Sequence, residues 1–346
     1  MFPMDMKLLR RGINMDHTFL PYRHSREPLS GSEWERMEGS LRRDEFAAAA
    51  RCGFSHVRLC LGRDFFQSRT PPYAFHDRGF SLMLKVVSLI RAEGLALILD
   101  LHELPAPEFG KDHALAEPFV GFWREMARRC RGLPPDVFYG LLNEPLTVDA
   151  ALWRGIVKEA VGVIRESDRE RAMVVAGDGW GSLDSLVALG ELGLPNIVYD
   201  FHFYYPFAFT HQGAGWGSPS LKPLHDIDWP MDRAALGKSR EEFRKAGLDE
   251  WPFREYEAVP DREGLGRKMA PVLEWGKKAG VPLYCGEFGV RRDGAPVERR
   301  ARWTADVRGI LEEAGVSWAL WAYRSGFDLF DRANVPDRSL LGALGL

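Results

Sequence analysis

Two glutamates in this sequence stand in the same local setting, at the end of a short apolar run and just before a turn-forming residue. Glu144 lies in Leu-Leu-Asn-Glu-Pro, and Glu287 lies in Cys-Gly-Glu-Phe-Gly. A lone glutamate after a strand is often only a helix N-terminal charge or half of a loop ion pair. Two in matching positions favour a shared chemical role. Paired carboxylates in a cleft hydrolyse glycosidic bonds, one as proton donor and the other as nucleophile or base.

This chemistry requires the two carboxyl groups to differ in pKa. The proton donor needs a raised pKa, whereas the nucleophile needs a lowered pKa so that it stays ionised. A cation within about 4–6 Å favours the ionised form of a carboxyl group. Arg58, inside the apolar run 56–61, is the candidate cation beside Glu287.

Further polar and aromatic residues stand at or just after the ends of other apolar runs. They are His102, Asn143, His202, Tyr204 and Trp321. Side chains at the carboxyl ends of parallel barrel strands point into the barrel mouth, where barrel enzymes carry out their chemistry. We therefore predict that these residues surround the two glutamates.

The elements that must hold these residues alternate along the chain. Short apolar runs bounded by Gly, Pro, Asp or Asn predict strands buried on both faces, at 8–14, 56–61, 95–101, 136–142, 172–176, 197–203, 283–286 and 317–321. Segments with helical periodicity lie between them, most clearly at 44–52, 80–93, 116–131, 150–166, 262–278 and 297–314. About eight strand–helix units is the number that closes a parallel barrel.

The alternative α/β architecture is a doubly wound sheet. Such a sheet would carry a glycine-rich phosphate loop after its first strand, but the chain there reads Arg-Gly-Ile-Asn-Met. We therefore predict an α/β fold in which residues 1–346 form a single (β/α)8 TIM barrel. The fold class alone does not define a function.

One segment, residues 206–260, breaks the alternation after the sixth predicted strand. It is rich in Trp, Phe, Pro and His. Long loops without regular structure are usually functional or disordered, and the aromatic content argues against disorder. We predict a loop insertion over the C-terminal face of the barrel, with tryptophans placed beside a cleft that binds flat, amphipathic sugar rings.

Composition excludes several classes of function. The 346 residues carry a net charge of −3, so we expect no nucleic-acid partner. No apolar run approaches the ~18 residues of a membrane span, so we expect no membrane. The first residues lack a secretory signal, which leaves an intracellular chain or one whose leader has been removed. The 4 cysteines have irregular spacings, which predict free thiols. We expect a monomer.

Taken together, these motifs resemble glycoside hydrolase family 5, the cellulase-type retaining enzymes built on a (β/α)8 barrel. The resemblance covers essentially the whole chain and rests on short motifs in the expected order: Arg58, Asp100-Leu101-His102, Asn143-Glu144-Pro145, His202 with Tyr204, Gly286-Glu287-Phe288-Gly289, and Trp321. The opening Gly-Ile-Asn-Met departs from it, because many relatives continue with Gly-Gly-Trp.

The resemblance implies a role for each matching residue. Glu287 would be the nucleophile and Glu144 the acid/base of a retaining mechanism, with carboxyl groups ~5–5.5 Å apart. The remaining matches would bind substrate or position the two glutamates: Arg58, His102, Asn143, His202, Tyr204 and Trp321. No metal or organic cofactor is implied.

The sequence is also compatible with two other hypotheses about function. His102, Glu103, His202 and Glu287 could be metal ligands of a different barrel hydrolase, although the His-x-His pair common on the first strand of such barrels is missing. A non-catalytic carbohydrate-binding protein could use the same scaffold, but it would be expected to have lost at least one carboxylate.

The substrate is an oligo- or polysaccharide whose linkage depends on loops. The pattern is most similar to the endoglucanase branch, so we predict endo cleavage of a β-1,4-glucan. A β-mannanase, a β-1,3-glucanase and an exo-acting β-glycosidase are the alternatives on the same barrel.

Overall fold

Eight parallel strands pair in chain order and close into a barrel, seen in a computed structural model that describes residues 4–19, 31–68, 73–103, 116–146 and 149–346. β1 pairs with both β2 and β8, which closes the ring. The strands are β1 (Arg11–Met15), β2 (His56–Gly62), β3 (Ala96–Glu103), β4 (Val137–Gly140), β5 (Met173–Ala176), β6 (Ile197–Phe203), β7 (Leu283–Phe288) and β8 (Ser317–Leu320). The predicted α/β barrel is confirmed.

The first strand begins later than the apolar run 8–14 suggested. Residues Met6–Leu9 form a 3-10 helix whose first turn is capped by the Asp5 side chain, which accepts a hydrogen bond from the Lys7 amide. Leu9 packs with Ile98 and Phe138 in a small apolar cluster. The apolar run 8–14 therefore contains both Leu9, which packs inside the barrel, and the first residues of β1.

Helices follow the strands and cover the barrel. In the described chain they are α1 (Gly31–Ser40), α2 (Arg43–Arg51), α3 (Arg63–Phe66), α4 (Asp77–Ala92), α5 (Ala116–Cys130), α6 (Ala150–Ser167), α7 (Asp178–Gly181), α8 (Leu183–Leu189), α9 (Phe207–Thr210), α10 (Arg233–Lys245), α11 (Trp251–Ala258), α12 (Arg262–Ala279), α13 (Val297–Glu313) and α14 (Arg338–Ala343). All six helices predicted from periodicity are present, with ends displaced by at most three residues. Their apolar faces bury a continuous layer against the strands, as amphipathic helices do.

The segment 206–260 is not a long loop without regular structure, because it contains α9, α10 and α11. Its aromatic residues serve mainly as core. Trp229 is fully buried and donates from Nε1 to Asp306 in the middle of α13, at 2.9 Å, and Phe253 is fully buried as well. The part of the segment around Trp229 therefore packs against the outer helix α13. Trp216, in contrast, is 70% exposed.

The cysteines agree with the expectation of free thiols. All four cysteines are free thiols, and three of them are buried. Across the described ranges, every helix is too short or too polar for a membrane span.

Candidate active site

A buried polar layer inside the barrel forms the floor of the site. Asp100 on β3 and Asp200 on β6 each precede a site histidine by two residues, and residues two apart share one face of a strand. Glycines on neighbouring strands leave room for both carboxylates. A Cβ at Gly140 would lie 2.7 Å from Asp100 Oδ1, and a Cβ at Gly286 would lie 2.5 Å from Asp200 Oδ2.

Arg58 on β2 links the floor to the functional side chains. Its Nη1 donates to Asn14 at 2.9 Å and to Glu287 Oε1 at 2.8 Å, and its Nη2 donates to Asn143 at 2.6 Å and lies 3.0 Å from Asp100 Oδ1. Burial opposes the charge of the guanidinium, but the two carboxylates outweigh burial and raise the pKa of Arg58. The predicted contact between Arg58 and Glu287 is therefore present.

The Glu287 carboxylate is held at both oxygens. Arg58 occupies Oε1, and the Tyr204 hydroxyl donates to Oε2 at 2.8 Å. Burial and the neighbouring carboxylate raise the pKa of Tyr204, so that its hydroxyl keeps the proton it donates. The register of β6 with β7 shifts by one residue beside Gly286, so that His202 pairs with Glu287. Such an irregularity re-aims a side chain and here directs Glu287 into the mouth.

Glu144 is more open and contacts a different partner. His202 Nδ1 lies 2.8 Å from Glu144 Oε1, and the Glu144 side chain is 30% exposed, against 5% for Glu287. Burial disfavours a charged imidazole, but Glu287, Asp200 and Glu144 outweigh it and raise the pKa of His202. The proton shared by His202 and Glu144 therefore lies on the His202 imidazole.

This arrangement contradicts the expectation of a raised pKa for Glu144 in the free site. Burial acts to raise that pKa, but the hydrogen bond and the positive charge of His202 outweigh burial and hold it below the ordinary range. The resemblance gave His202 a positioning role, but not the positive charge that it places beside Glu144 from a strand 58 residues later in the chain. One oxygen of Glu144 and one of Glu287 lie within 4.8 Å of each other.

His102, Asn143 and Trp321 form a wall beside the carboxylates. His102 Nδ1 donates to Asp100 Oδ2, 2.8 Å away. Its Nε2 lies 3.4 Å from the Asn143 amide nitrogen. The His102 and Trp321 rings stack with centroids 5.2 Å apart and planes 9° apart. All eight site residues singled out in the sequence therefore meet at one end of the barrel.

Several residues that shape the site were not singled out. Asn14 donates to the carbonyl oxygens of Gly286 and Leu320, at 2.9 and 3.1 Å, which ties β1 to β7 and β8. Asp200 could have been singled out from the sequence, because a charged side chain inside an apolar strand needs a polar partner. His56, a polar residue inside β2, is a core residue that contacts the Tyr284 hydroxyl at 2.8 Å.

The alternative metal centre does not form as one cluster. Among the described residues, side chains close enough to share an ion group as Cys60 with Asp100 and His102, and as Glu144 with His202 and Glu287. The two histidines of the proposed ligand set are therefore in separate groups. In the second group, both Glu287 oxygens already accept strong hydrogen bonds from protein donors.

Comparisons with known proteins agree on one family. The family model described as Cellulase (glycosyl hydrolase family 5) matches residues 26–326. Endoglucanase C of Acetivibrio thermocellus is 29% identical over 312 residues, which cover 87% of this chain and 90% of that protein. Cellodextrinase A of Ruminococcus flavefaciens is 26% identical, with coverages of 87% and 84%.

A solved structure extends the likeness to three dimensions. Endoglucanase Cel5A from the hyperthermophilic Thermotoga maritima superposes with a TM-score of 0.80 at 27% identity, over 98% of this chain and 97% of that one. Structures of that protein are described in complex with cellobiose and with mannotriose.

Proposed function

Because the chain belongs to the cellulases of glycosyl hydrolase family 5 and is therefore a glycoside hydrolase, we propose that it cleaves β-1,4-glucan by double displacement. Glu287 is the nucleophile and Glu144 the acid/base. The observation that carries this proposal is the pair itself, with carboxylate oxygens within 4.8 Å of each other. That spacing suits direct attack, because inverting enzymes keep their carboxyl groups ~6.5–9.5 Å apart to admit a water.

In the first step Glu287 attacks the anomeric carbon. Arg58 and Tyr204 each donate a hydrogen bond to the attacking carboxylate and so orient it. Glu144 protonates the departing oxygen, and its proton comes from the pair it forms with His202. The carbon–oxygen bond to the leaving sugar breaks as the bond to Glu287 forms, which leaves a covalent glycosyl-enzyme.

In the second step a water releases the sugar. Glu144, now ionised, takes a proton from that water, and the resulting hydroxide attacks the anomeric carbon and displaces Glu287. The exposed fraction of Glu144 gives water access to this residue. Two inversions at one carbon yield net retention, and Glu144 and His202 again share one proton.

The remaining residues position the sugar at the cleaved bond. Trp321 provides the stacking surface, which suits the apolar face of a pyranose ring. His102 forms a hydrogen bond with a sugar hydroxyl through Nε2. Asn143 donates a hydrogen bond to the 2-hydroxyl, and this contact strengthens in the oxocarbenium-like transition state.

We infer an endo mode on a neutral β-1,4-glucan backbone from the endoglucanases among the relatives. A β-mannan is the second candidate, because Cel5A of Thermotoga maritima is described with mannotriose as well as cellobiose. The alternatives of a β-1,3-glucan and of exo cleavage remain. We propose a monomer whose residues 1–346 form one catalytic unit, with 206–260 as an insertion.

The test combines variants with product stereochemistry. Glu287→Gln is expected to lower the hydrolysis rate of an aryl cellobioside on the order of 10⁴-fold or more. Glu144→Gln is expected to lose roughly 10²–10⁴-fold on substrates with poor leaving groups. Proton NMR of the first products should show the β-anomer.

Glu103→Gln is the matched control, since Glu103 ends β3 at the same edge of the barrel, and it should retain activity. First products of α configuration would overturn the double displacement, and wild-type rates in Glu287→Gln would overturn the assignment of the nucleophile. Rates and product lengths on carboxymethylcellulose, glucomannan and laminarin then decide the linkage and the mode.

A further inference from the structure

A cavity of about 340 Å³ opens at the barrel mouth on the side away from Glu144. It lies between residues that follow β1, residues that follow β8, and the first turn of α2. β1 and β8 are neighbours in the barrel, whereas β4, which leads to Glu144, lies across it. The leaving group departs on the side of its proton donor, so the sugar units that stay on Glu287 extend toward this cavity.

The cavity lies next to the segment that follows β8 and carries Trp321. Asp16, which follows β1, lies 4.0 Å from His17, measured between Oδ1 and Nδ1. His17 lines the cavity, and its ring centroid lies 5.6 Å from that of Tyr323, two residues beyond Trp321. The cavity therefore borders the chain segment that carries Trp321, on the β1 and β8 side of the barrel mouth.

Three arginines and one carboxylate provide the charges of the cavity lining. The carboxylate, Glu45, is almost fully buried and already neutralised: His17 Nε2 lies 2.9 Å from one oxygen, and Arg324 Nη1 donates to the other at 2.7 Å. Arg324 also donates to the carbonyl oxygen of Asp331. The Glu45 carboxylate and the Arg324 guanidinium are therefore already occupied by partners within the protein.

The other two arginines are available to a ligand. Arg332 makes no hydrogen bond or ion pair with the part of the chain that the structure describes. Arg42 lies 3.5 Å from Asp44, with both side chains more than half exposed, and such a pair is weak. The cavity thus has excess positive charge, in a chain whose 49 acidic residues outnumber its 46 basic ones. A neutral glucan has no group that needs this charge.

We propose that this cavity binds an anionic substituent, a carboxylate or a phosphate, on the glycone part of the substrate, through Arg42 and Arg332. Guanidinium groups bind both anions in a bidentate geometry. The inference rests on the proposed glycosidase function and narrows its substrate class to β-glucans that carry negative groups. The site acts on binding and leaves the chemistry at Glu287 unchanged.

The test compares an anionic polymer with a neutral one. The readout is the ratio of kcat/KM on carboxymethylcellulose to kcat/KM on hydroxyethylcellulose, measured for wild type and for Arg42→Gln, Arg332→Gln and the double variant. A threefold fall in this ratio corresponds to about 0.65 kcal/mol, which is within the range of an exposed ion pair. The ratio should therefore fall about threefold for each arginine and about tenfold for both. The effect should shrink as salt is added.

Arg267→Gln is the matched control, because Arg267 is similarly exposed but lies on α12, paired with Glu263. Its ratio should equal that of wild type. A ratio in the double variant that equals the control would overturn the proposal, as would equal losses on both polymers. Failure of the wild type to cleave either polymer would instead overturn the proposed function. Cello-oligosaccharides with a terminal carboxylate or a terminal phosphate then distinguish the two anions.

Discussion

Replacing Arg58 by methionine is expected to destabilise the protein much more at neutral pH than at acidic pH. The guanidinium is 1% exposed and lies 3.0 Å from Asp100 and 2.8 Å from Glu287. Methionine keeps much of the apolar side-chain volume but has no charge. The substitution therefore leaves two carboxylates inside the barrel without their cation.

The size of the effect follows from the burial of these carboxylates. Removing one partner of a buried ion pair costs about 3–5 kcal/mol, a large share of the ~5–15 kcal/mol that stabilises a typical domain. In the wild type, burial acts to raise the pKa of Asp100, but Arg58 and His102 outweigh it and lower that pKa. Asp100 then contributes stability above its unfolded pKa of about 3.9, and this contribution is lost as the pH falls through the folded pKa.

Without Arg58 we expect the sign of this contribution to reverse. Burial then dominates, and the folded pKa of Asp100 rises above its unfolded value. Between the two values the folded variant binds more protons than the unfolded chain, so its free energy of unfolding falls by about 1.4 kcal/mol for each unit of rising pH. The variant should therefore approach the wild type in stability only at acidic pH.

Urea denaturation at several pH values from about 4.5 to 7.5 measures this dependence. Arg300→Met is the matched control. Arg300 is also buried, but it donates to the carbonyl oxygens of Val290, Phe327 and Asp328. Carbonyl oxygens do not titrate in this range, so its loss of stability should vary little with pH. A destabilisation of Arg58→Met that is equally large at every pH would refute the reasoning.

Three further predictions concern the site and the core. His202→Asn should move the alkaline limb of the kcat/KM profile to lower pH. The raised pKa of His202 keeps the His202–Glu144 pair protonated in the wild type, and asparagine cannot hold that proton. An unchanged alkaline limb would contradict this. Gly286→Ala should lower the free energy of unfolding by about 1–3 kcal/mol, because its methyl group would lie 2.5 Å from a carboxylate oxygen of Asp200. Gly155→Ala, on the open surface of α6, should not destabilise the protein. Trp229→Ala should cost about 3–5 kcal/mol in thermal or urea unfolding, whereas exposed Trp216→Ala should stay within about 0.5 kcal/mol.

Much of the barrel was predictable because its signals are local. An apolar run bounded by turn formers indicates a buried strand, and a period near 3.6 indicates a helix that packs on it. The segment 206–260 was harder, because α10 is strongly polar and α11 is short. Aromatic residues such as Trp229 indicate burial as readily as sugar binding, and only packing against Asp306 on α13 distinguishes the two.

The sequence by itself determined the order of the strands along the chain and the residues that each strand delivers to the barrel mouth, since Glu144 follows β4 and Glu287 lies near the end of β7. The tertiary structure decided which partner each group meets. Glu144 meets His202, 58 residues away, and Glu45 meets Arg324, 279 residues away. Charge interactions depend on distance and burial in space, and neither is encoded in local sequence. For that reason the low pKa of Glu144 and the basic cavity beside β1 and β8 became visible only in the folded chain.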